Sequence, residues 1–160
     1  MRIAIVIDAF TEGNGGGVAT VRLAQGLAKR GHVITIVSPL SVQKERFFQV
    51  KGFCLPGMKE SFKNMDFSLG IPDKAVLRKA FADVDLVQIQ YPLWLANGAA
   101  KVAKAMKKTV IGAFHVQPQN LLGCMGKESR FIDFLVYKLY NLLLFNHVPF
   151  VHCPSRLAAE

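Results

Sequence analysis

Three consecutive glycines, Gly15 to Gly17, are the residues whose type and position point most directly to chemistry. They stand between a short apolar run, Ile3–Ile7, which is followed by Asp8, and a segment with helical periodicity. Glycines let a backbone approach a phosphate closely, and the free N–H groups that begin a helix favour negative charge. A flexible turn without a ligand is the alternative interpretation. The position between a first strand and a first helix favours a phosphate or sugar site.

Polar side chains that follow two later apolar runs are further candidates for binding. They are Gln90, Tyr91 and Trp94 after one run and His115 after the other. In open α/β sheets, ligands bind outside the carboxyl ends of the strands, so a site there would include these residues. Tyr91 and Trp94 can equally cap an apolar core. A lone histidine is more often structural than catalytic.

The elements that would position these residues alternate between strands and helices. The predicted strands are Ile3–Ile7, His32–Ser38, Phe47–Leu55, Leu86–Ile89, Thr109–Phe114 and Val148–Cys153. The predicted helices are Val18–Arg30, Asp73–Ala82, Gly98–Lys108 and Phe131–Phe145, and a further helix opens at Ser155. Met58–Ile71 has weak signals and is predicted to be a loop. This alternation predicts an α/β fold, a Rossmann-like doubly wound parallel sheet with helices on both faces.

Length and composition predict one packed domain over residues 1–160, since 51% of the residues are hydrophobic. The net charge of +9 indicates an anionic partner such as a nucleotide, an anionic lipid or a nucleic acid. The basic residues are spread along the chain and no nucleic-acid motif accompanies them, so no nucleic acid is expected. Cys54, Cys124 and Cys153 lack metal-ligand spacing. Without a signal peptide, they indicate reduced thiols in a cytoplasmic protein.

Two familiar phosphate motifs are not matched. In a G-x-G-x-x-G fingerprint starting at Gly13, the third glycine position is Val18. The second strand ends at Ser38, where a ribose-binding acid would be needed, so half of a dinucleotide oxidoreductase is disfavoured. The Gly-Lys-Ser/Thr of a P-loop does not occur.

The order of several motifs is similar to that of a known family. Gly16–Val18 is followed by Arg30–Val37, and further similarity lies at Asp85–Gln90, Thr109–His115 and Phe150–Glu160. Together these segments resemble retaining glycosyltransferases of the GT4 family, which have the GT-B fold. The resemblance implies transfer of a sugar from a nucleotide-sugar donor to a sugar or lipid acceptor, with no metal and no cofactor.

The resemblance also implies roles for individual residues. His115 would face the donor sugar as the catalytic residue, and the backbone of Gly16 and Gly17 would approach the donor diphosphate. The implied acceptor-binding residues are Asp8, Gln90, Tyr91, Gln117 and Asn120. Many relatives have a histidine near Gln90 and lack the extra Gly15. These two differences leave the family unchanged but leave the identity of the acceptor open.

The family pattern implies a second domain, which would supply most of the nucleotide-sugar contacts through an E-x7-E motif. No two glutamates of this chain stand eight positions apart. We therefore expect the amino-terminal half of an enzyme, inactive alone. A stand-alone flavodoxin-like module that binds a phosphate or nucleotide without chemistry is the alternative. Phe131–Phe145 is expected to be a core or interdomain helix, or a face for peripheral membrane contact on the cytoplasmic side.

Overall fold

A computed structural model describes residues 1–40, 45–57, 59–115, 117, 129–153 and 155. The strands are β1 (Arg2–Val6), β2 (Val33–Ser38), β3 (Phe47–Gln49), β4 (Gly52–Phe53), β5 (Leu69–Gly70), β6 (Leu86–Ile89), β7 (Thr109–Ala113) and β8 (Val151–His152). The helices are α1 (Gly15–Lys29), α2 (Lys59–Asn64), α3 (Lys74–Phe81), α4 (Trp94–Ala105) and α5 (Arg130–Leu143), and a 3₁₀ turn spans Phe145–His147.

Six strands form one parallel sheet in the order β3-β2-β1-β6-β7-β8. β1 lies in the middle, where Ile3 pairs with Ile34 of β2 on one side and with Leu86 of β6 on the other. A central parallel strand is covered on both faces, which explains why β1 has a continuous apolar sequence. β4 and β5 form a separate antiparallel pair.

Alternate residues of β1 belong to two hydrophobic cores, one on each face of the sheet. Ala4 and Val6 pack in a core with residues of α3 and α4, such as Leu77 and Ala99. Ile3, Ile5 and Ile7 belong to the other core, to which α1 contributes Ala24. Helices therefore cover both faces, and the predicted Rossmann-like doubly wound fold is confirmed.

Helix α1 begins earlier than predicted, because the three glycines form its first turn. Asn14 caps this turn by accepting a hydrogen bond from the Gly17 N–H. The positive φ that glycine permits is found among the described glycines at Gly31 and Gly57, not in the Gly15–Gly17 turn. Gly31 follows the last residues of α1, a position and a conformation typical of a glycine that ends a helix.

The predicted strand Phe47–Leu55 is wrong as a single element. The chain pairs with β2 through Phe47–Gln49, and then with β5 through Gly52 and Phe53. Gly52 lies so close to Ser68 and Pro39 that a side chain there would collide with both. The change of pairing partner breaks the strand at Val50.

The predicted loop Met58–Ile71 is also wrong, because it contains α2 and β5. Phe62 of α2 is 2% exposed, and its ring meets Phe67 edge-on at 5.1 Å between centroids. Burial of these aromatic rings stabilises a helix that has little sequence periodicity of its own.

Three later boundaries differ from their predictions. Helix α4 starts at Trp94, not Gly98, and Gly98 lies inside it where Pro72 packs against the helix backbone. Helix α5 ends at Leu143 and is followed by the 3₁₀ turn. β8 has two residues, and the helix predicted to follow Ser155 lies outside the described residues.

Candidate functional site

The sheet order places the topological switch point of the fold at the carboxyl ends of β1 and β6, and we call this location the crevice. These strands are neighbours, but β1 continues through α1 to β2 on one side, whereas β6 continues through α4 to β7 on the other. Ligands of doubly wound folds bind at such a switch point, because the two connections diverge and leave a gap. Asp8 follows β1 here, and Gln90 and Tyr91 follow β6.

Asp8 is a buried carboxyl group on the β1 side of the crevice, with 2% of its surface exposed. Its Oδ1 accepts a hydrogen bond of 2.7 Å from the Gly70 N–H of β5. Burial raises the pKa of Asp8 to about 7, and the Gly70 hydrogen bond opposes part of this rise. The carboxyl group can therefore exchange a proton near neutral pH, which suits a group that receives one from a hydroxyl.

Gln90 is the most unusual polar residue of the crevice. Its side chain is fully buried, and neither the Nε2 nor the Oε1 atom has a hydrogen-bond partner among the described residues. An unpaired buried amide costs about 1–3 kcal/mol. A cost of this size is expected where a residue is kept for binding a polar group rather than for packing.

Tyr91 connects β6 to the glycine turn. Its hydroxyl donates a hydrogen bond of 3.3 Å to Asn14 Oδ1, and a Cβ added at Gly16 would fall on the same hydroxyl. Burial raises the pKa of Tyr91, and the charge of Asp8 raises it further. The phenol therefore stays protonated and acts as a donor at the crevice. Glycine at position 16 is required by this close approach.

The glycine turn presents a limited number of free amides. The Gly17 N–H is already held by Asn14 Oδ1 at 2.8 Å. A Cβ at Gly17 would meet the Thr11 and Ala9 carbonyl oxygens, so this glycine is needed for packing under the β1–α1 loop. The amides of Gly15 and Gly16 precede the first α-helical hydrogen bond, which Val18 N makes to Asn14 O. They are the N–H groups of the turn that suit an anion.

The segment after α2 covers the β1–α1 loop. Asn14 Nδ2 donates to the Met65 carbonyl at 3.0 Å, and Thr11 Oγ1 donates to Asp66 Oδ2 at 3.3 Å. Asp66 has a positive φ of 44°, and its carboxylate meets this loop through the Thr11 hydrogen bond. The Phe67 ring lies 6.0 Å from that of Tyr91. This segment therefore forms one wall of the crevice.

His115 lies one strand further from the switch point, after β7. It shares a cavity of about 540 Å³ with His152, with residues of α1 from Ala19 to Leu27, and with Arg30 just after this helix. Its ring centroid is 5.9 Å from that of His152. Burial lowers the pKa of His115, and the charge of His152 lowers it further, so the imidazole is neutral at pH 7. His115 thus faces the side of α1, and the first helix residue of this cavity, Ala19, lies two positions after Gly17.

The structure says less about the other residues that the sequence predicted for the site. Gln117 is half-buried, and Asn120 lies outside the described residues. Trp94 is 63% exposed on the first turn of α4. Within the described residues, no group of three or more His, Cys, Asp or Glu side chains is placed to hold a metal ion.

The structure adds two residues that sequence reasoning missed. Asn14 joins the start of α1 to Tyr91 and to the segment after α2. An asparagine directly before a helix is a recognised capping signal, so this residue was detectable. Gly70 gives its N–H to Asp8 across 62 positions of sequence, and such a contact leaves no local signal.

Comparison with protein families gives one result. The model of Glycosyltransferase Family 4 matches residues 13–160. The match covers the glycine turn, the β6 end with Gln90 and Tyr91, and His115. A search among curated proteins gave no significant match.

Comparison with solved structures identifies the same architecture. One neighbour is the UDP-GlcNAc 2-epimerase from Methanocaldococcus jannaschii, with a TM-score of 0.56 and 14% identity over 99% of this chain. Another is an alpha-glucosyltransferase in complex with UDP and a 13-mer DNA containing a HMU base, with a TM-score of 0.52 and 15% identity over 96% of this chain. The chain spans 40% and 37% of these two proteins, and identities this low concern the fold alone.

Proposed function

Because the chain belongs to glycosyltransferase family 4, we propose that it is the acceptor-binding half of an enzyme that moves a sugar from a nucleotide-sugar donor to an acceptor with retention. The observation that carries this proposal is the crevice at the β1–β6 switch point. There Asp8 follows β1, and Gln90 and Tyr91 follow the neighbouring strand β6. Tyr91 bonds Asn14 at the start of the glycine turn, and the Gln90 amide has no partner among the described residues.

The acceptor would be a sugar or a lipid whose hydroxyl enters this crevice. Asp8 would accept a hydrogen bond or a proton from that hydroxyl, because its pKa of about 7 allows both states near neutral pH. Gln90 would gain the partners that it lacks among the described residues. Gln117 and Asn120, which follow His115 in the chain, would contact the remainder of the acceptor.

The donor diphosphate would lie at the start of α1. Gly16 stays in this role, and Gly15 joins it because it is exposed and has open space where a side chain would be. The contribution of Gly17 would be indirect, since its N–H is bound to Asn14. His115, neutral at pH 7, would donate a hydrogen bond to the donor sugar or a phosphate oxygen.

The proposal also covers the second domain, the metal requirement and the cellular location of the whole enzyme. A second domain would supply most donor contacts, no metal would be needed, and the enzyme would work in the cytoplasm without binding nucleic acid. The coverage of about two fifths of the neighbouring proteins is consistent with a second domain. We expect residues 1–160 alone to transfer no sugar, and measurable transfer by this chain alone would contradict its role as one half of an enzyme.

His115 provides the sharpest test in a longer protein that contains this chain. His115→Ala should lower kcat/KM with the preferred UDP- or GDP-sugar by roughly a hundredfold or more, as for loss of a positioned donor. The melting temperature should change little. His147→Ala is a matched control, because this histidine bonds the Leu142 carbonyl at the end of α5, away from the crevice.

Two outcomes would count against different parts of the proposal. Unchanged kcat/KM in His115→Ala would remove this residue from catalysis. A longer protein that binds a nucleotide in calorimetry but transfers no sugar would instead support the alternative, a phosphate- or nucleotide-binding module without chemistry.

A further inference from the structure

The outward side of α5 is apolar. Five large apolar side chains on it are 47–69% exposed: Phe131, Phe134, Leu135, Leu139 and Leu142. Their spacing places them along one side of the helix, and we call them the outer stripe. Tyr140, on the opposite side, is 1% exposed and packs inward. A surface helix normally shows the reverse distribution, so the outer stripe needs a partner other than water.

Basic residues accompany the outer stripe. Lys138 lies within it, with its Nζ atom 4.7 Å from the centroid of the Phe134 ring. Arg130 is the first residue of the helix and is exposed. The acidic residue of α5, Asp133, is half-buried toward the opposite side. The outer stripe therefore combines apolar surface with positive charge.

Helix α4 extends this surface. Asn97 of α4 donates a hydrogen bond of 3.2 Å to the Leu143 carbonyl of α5, so the two helices lie side by side there. Lys101 follows Asn97 by about one turn and is exposed, and Trp94 precedes it by about one turn and is 63% exposed. The side of α4 that contacts the end of α5 thus also carries an exposed indole and an exposed ammonium group.

We propose that the outer stripe of α5, with the basic residues beside it, binds the surface of an anionic phospholipid membrane. Aromatic and leucine side chains insert at the boundary between headgroups and acyl chains. Lysines extend their alkyl stems along this apolar surface and keep the ammonium at the anionic headgroups. The buried core of a protein–protein interface is depleted in lysine, which makes Lys138 less suited to contact with a protein.

The contact would be peripheral. No helix among the described residues is long and apolar enough to cross a membrane. The outer stripe lies on the side of α5 opposite Tyr140, so it faces away from the sheet and is available to a flat surface. The +9 net charge of the whole chain would add a general attraction to anionic lipid.

The same surface reaches toward the candidate site. Phe114, just after β7, stacks on Tyr137 at 6.2 Å, and Gly112 within β7 lies beside Leu144. Helix α5 therefore runs in the direction opposite to β7, and its first turns extend past the carboxyl end of this strand. The crevice lies at the same edge of the sheet. A membrane at the outer stripe would bring a lipid acceptor to that edge. This last step rests on the proposed transfer, whereas membrane binding does not.

Flotation of the 160-residue chain with vesicles tests the membrane contact without donor or catalysis. The chain should float with vesicles of phosphatidylcholine and phosphatidylglycerol, bind those of phosphatidylcholine alone more weakly, and lose affinity at high salt. Phe131→Ser/Leu142→Ser should lower the partition coefficient roughly tenfold or more, because both side chains leave the lipid. Lys101→Glu/Lys138→Glu should remove the preference for anionic vesicles.

The matched control replaces the same two residue types elsewhere. Phe53→Ser/Leu55→Ser changes exposed side chains on and just after β4 and should leave vesicle binding unchanged. The proposal is overturned if no anionic vesicle binds the chain, or if the control lowers binding as much as the stripe variant does. Self-association that the stripe variant abolishes, in a chain that binds no vesicles, would assign the outer stripe to a second copy.

Discussion

Asp8 carries a cost that its packing role does not explain. Its carboxyl group is buried, and its hydrogen bond from Gly70 N does not offset the loss of water, so its pKa rises from 3.8 to about 7. At about 1.4 kcal/mol per pKa unit, the charged form is disfavoured by roughly 4 kcal/mol in the folded state. An asparagine would accept the same hydrogen bond without this cost. Retention of the acid is consistent with the proposed contact to an acceptor hydroxyl.

The pH dependence of stability should reveal this carboxyl group. Because the folded pKa is higher than the unfolded one, the folded state holds its proton more tightly. Stability should therefore fall as the pH rises from about 4 to about 7, and level off above that range. Urea unfolding at several pH values should show this decline in the wild type and a flatter profile in Asp8→Asn. At pH 8 the variant should be the more stable, by at most roughly 4 kcal/mol.

The two profiles are to be compared as a difference, so that contributions of other titrating groups cancel. Parallel profiles for the two proteins would show that Asp8 has an ordinary pKa. A strongly destabilised variant at every pH would indicate that the carboxylate is ionised and paired in the native protein.

At the scale of elements, the start of α1 has two functions that compete for the same glycines. Gly17 lets the helix pass beneath the backbone carbonyls of Ala9 and Thr11, and Gly16 leaves room for the Tyr91 hydroxyl. Gly15 has open space around it. A substitution in the turn can thus reduce activity through packing alone. A Gly15 substitution does not disturb packing, so weaker donor binding in such a variant would indicate a direct contact between this position and the donor.

Alanine substitutions within α1 should separate packing from helix propensity. Gly17→Ala should destabilise the fold by about 1–3 kcal/mol, because the new methyl group meets backbone oxygens that cannot move freely. Gly26→Ala, in the same helix with no atom within 4 Å of the added Cβ, should stabilise by up to about 1 kcal/mol. Denaturant midpoints measure both. Equal effects at the two positions would refute the packing role of Gly17.

At the scale of the whole molecule, strand pairing and burial decrease from the centre of the sheet to its edge. β1 is bonded on both sides and the cores on both faces cover it, so Ile3 to Ile7 are at most 4% exposed. β8 pairs with β7 through two residues, and Val151 is 40% exposed. The crevice lies between β1 and β6, two strands inside the sheet, whereas the His115–His152 cavity lies toward the less protected edge.

Hydrogen exchange should follow this gradient. Amides of β1 and β6 should exchange slowest, and those of β8 faster by roughly a hundredfold or more, because local opening at an exposed edge exposes little apolar surface. Mass spectrometry of peptides that cover these strands would measure the difference. Protection of β8 equal to that of β1 would mean that a further part of the chain covers the edge.

The sequence by itself determined the sheet and its main helices. β1, β2, β6 and β7 are mostly apolar runs, and Gly31 and Asp73 mark the end of α1 and the cap of α3. Such signals are local, since side-chain periodicity and capping act over a few residues. Because the carboxyl ends of parallel strands lie at one edge of a sheet, the placement of Asp8, Gln90 and Tyr91 at that edge was predictable. The pairing of β1 with β6, which makes these strands neighbours, was not.

Only the tertiary structure decided what surrounds those residues. Gly70 reaches Asp8, and Asn14 reaches Met65 and Tyr91, all across more than fifty positions of sequence. The outward side of α5 is a further case, because the apolar residues of this helix cover more than one side. Which side meets the sheet depends on the docking of Tyr140 and Leu144, and no local pattern records that choice.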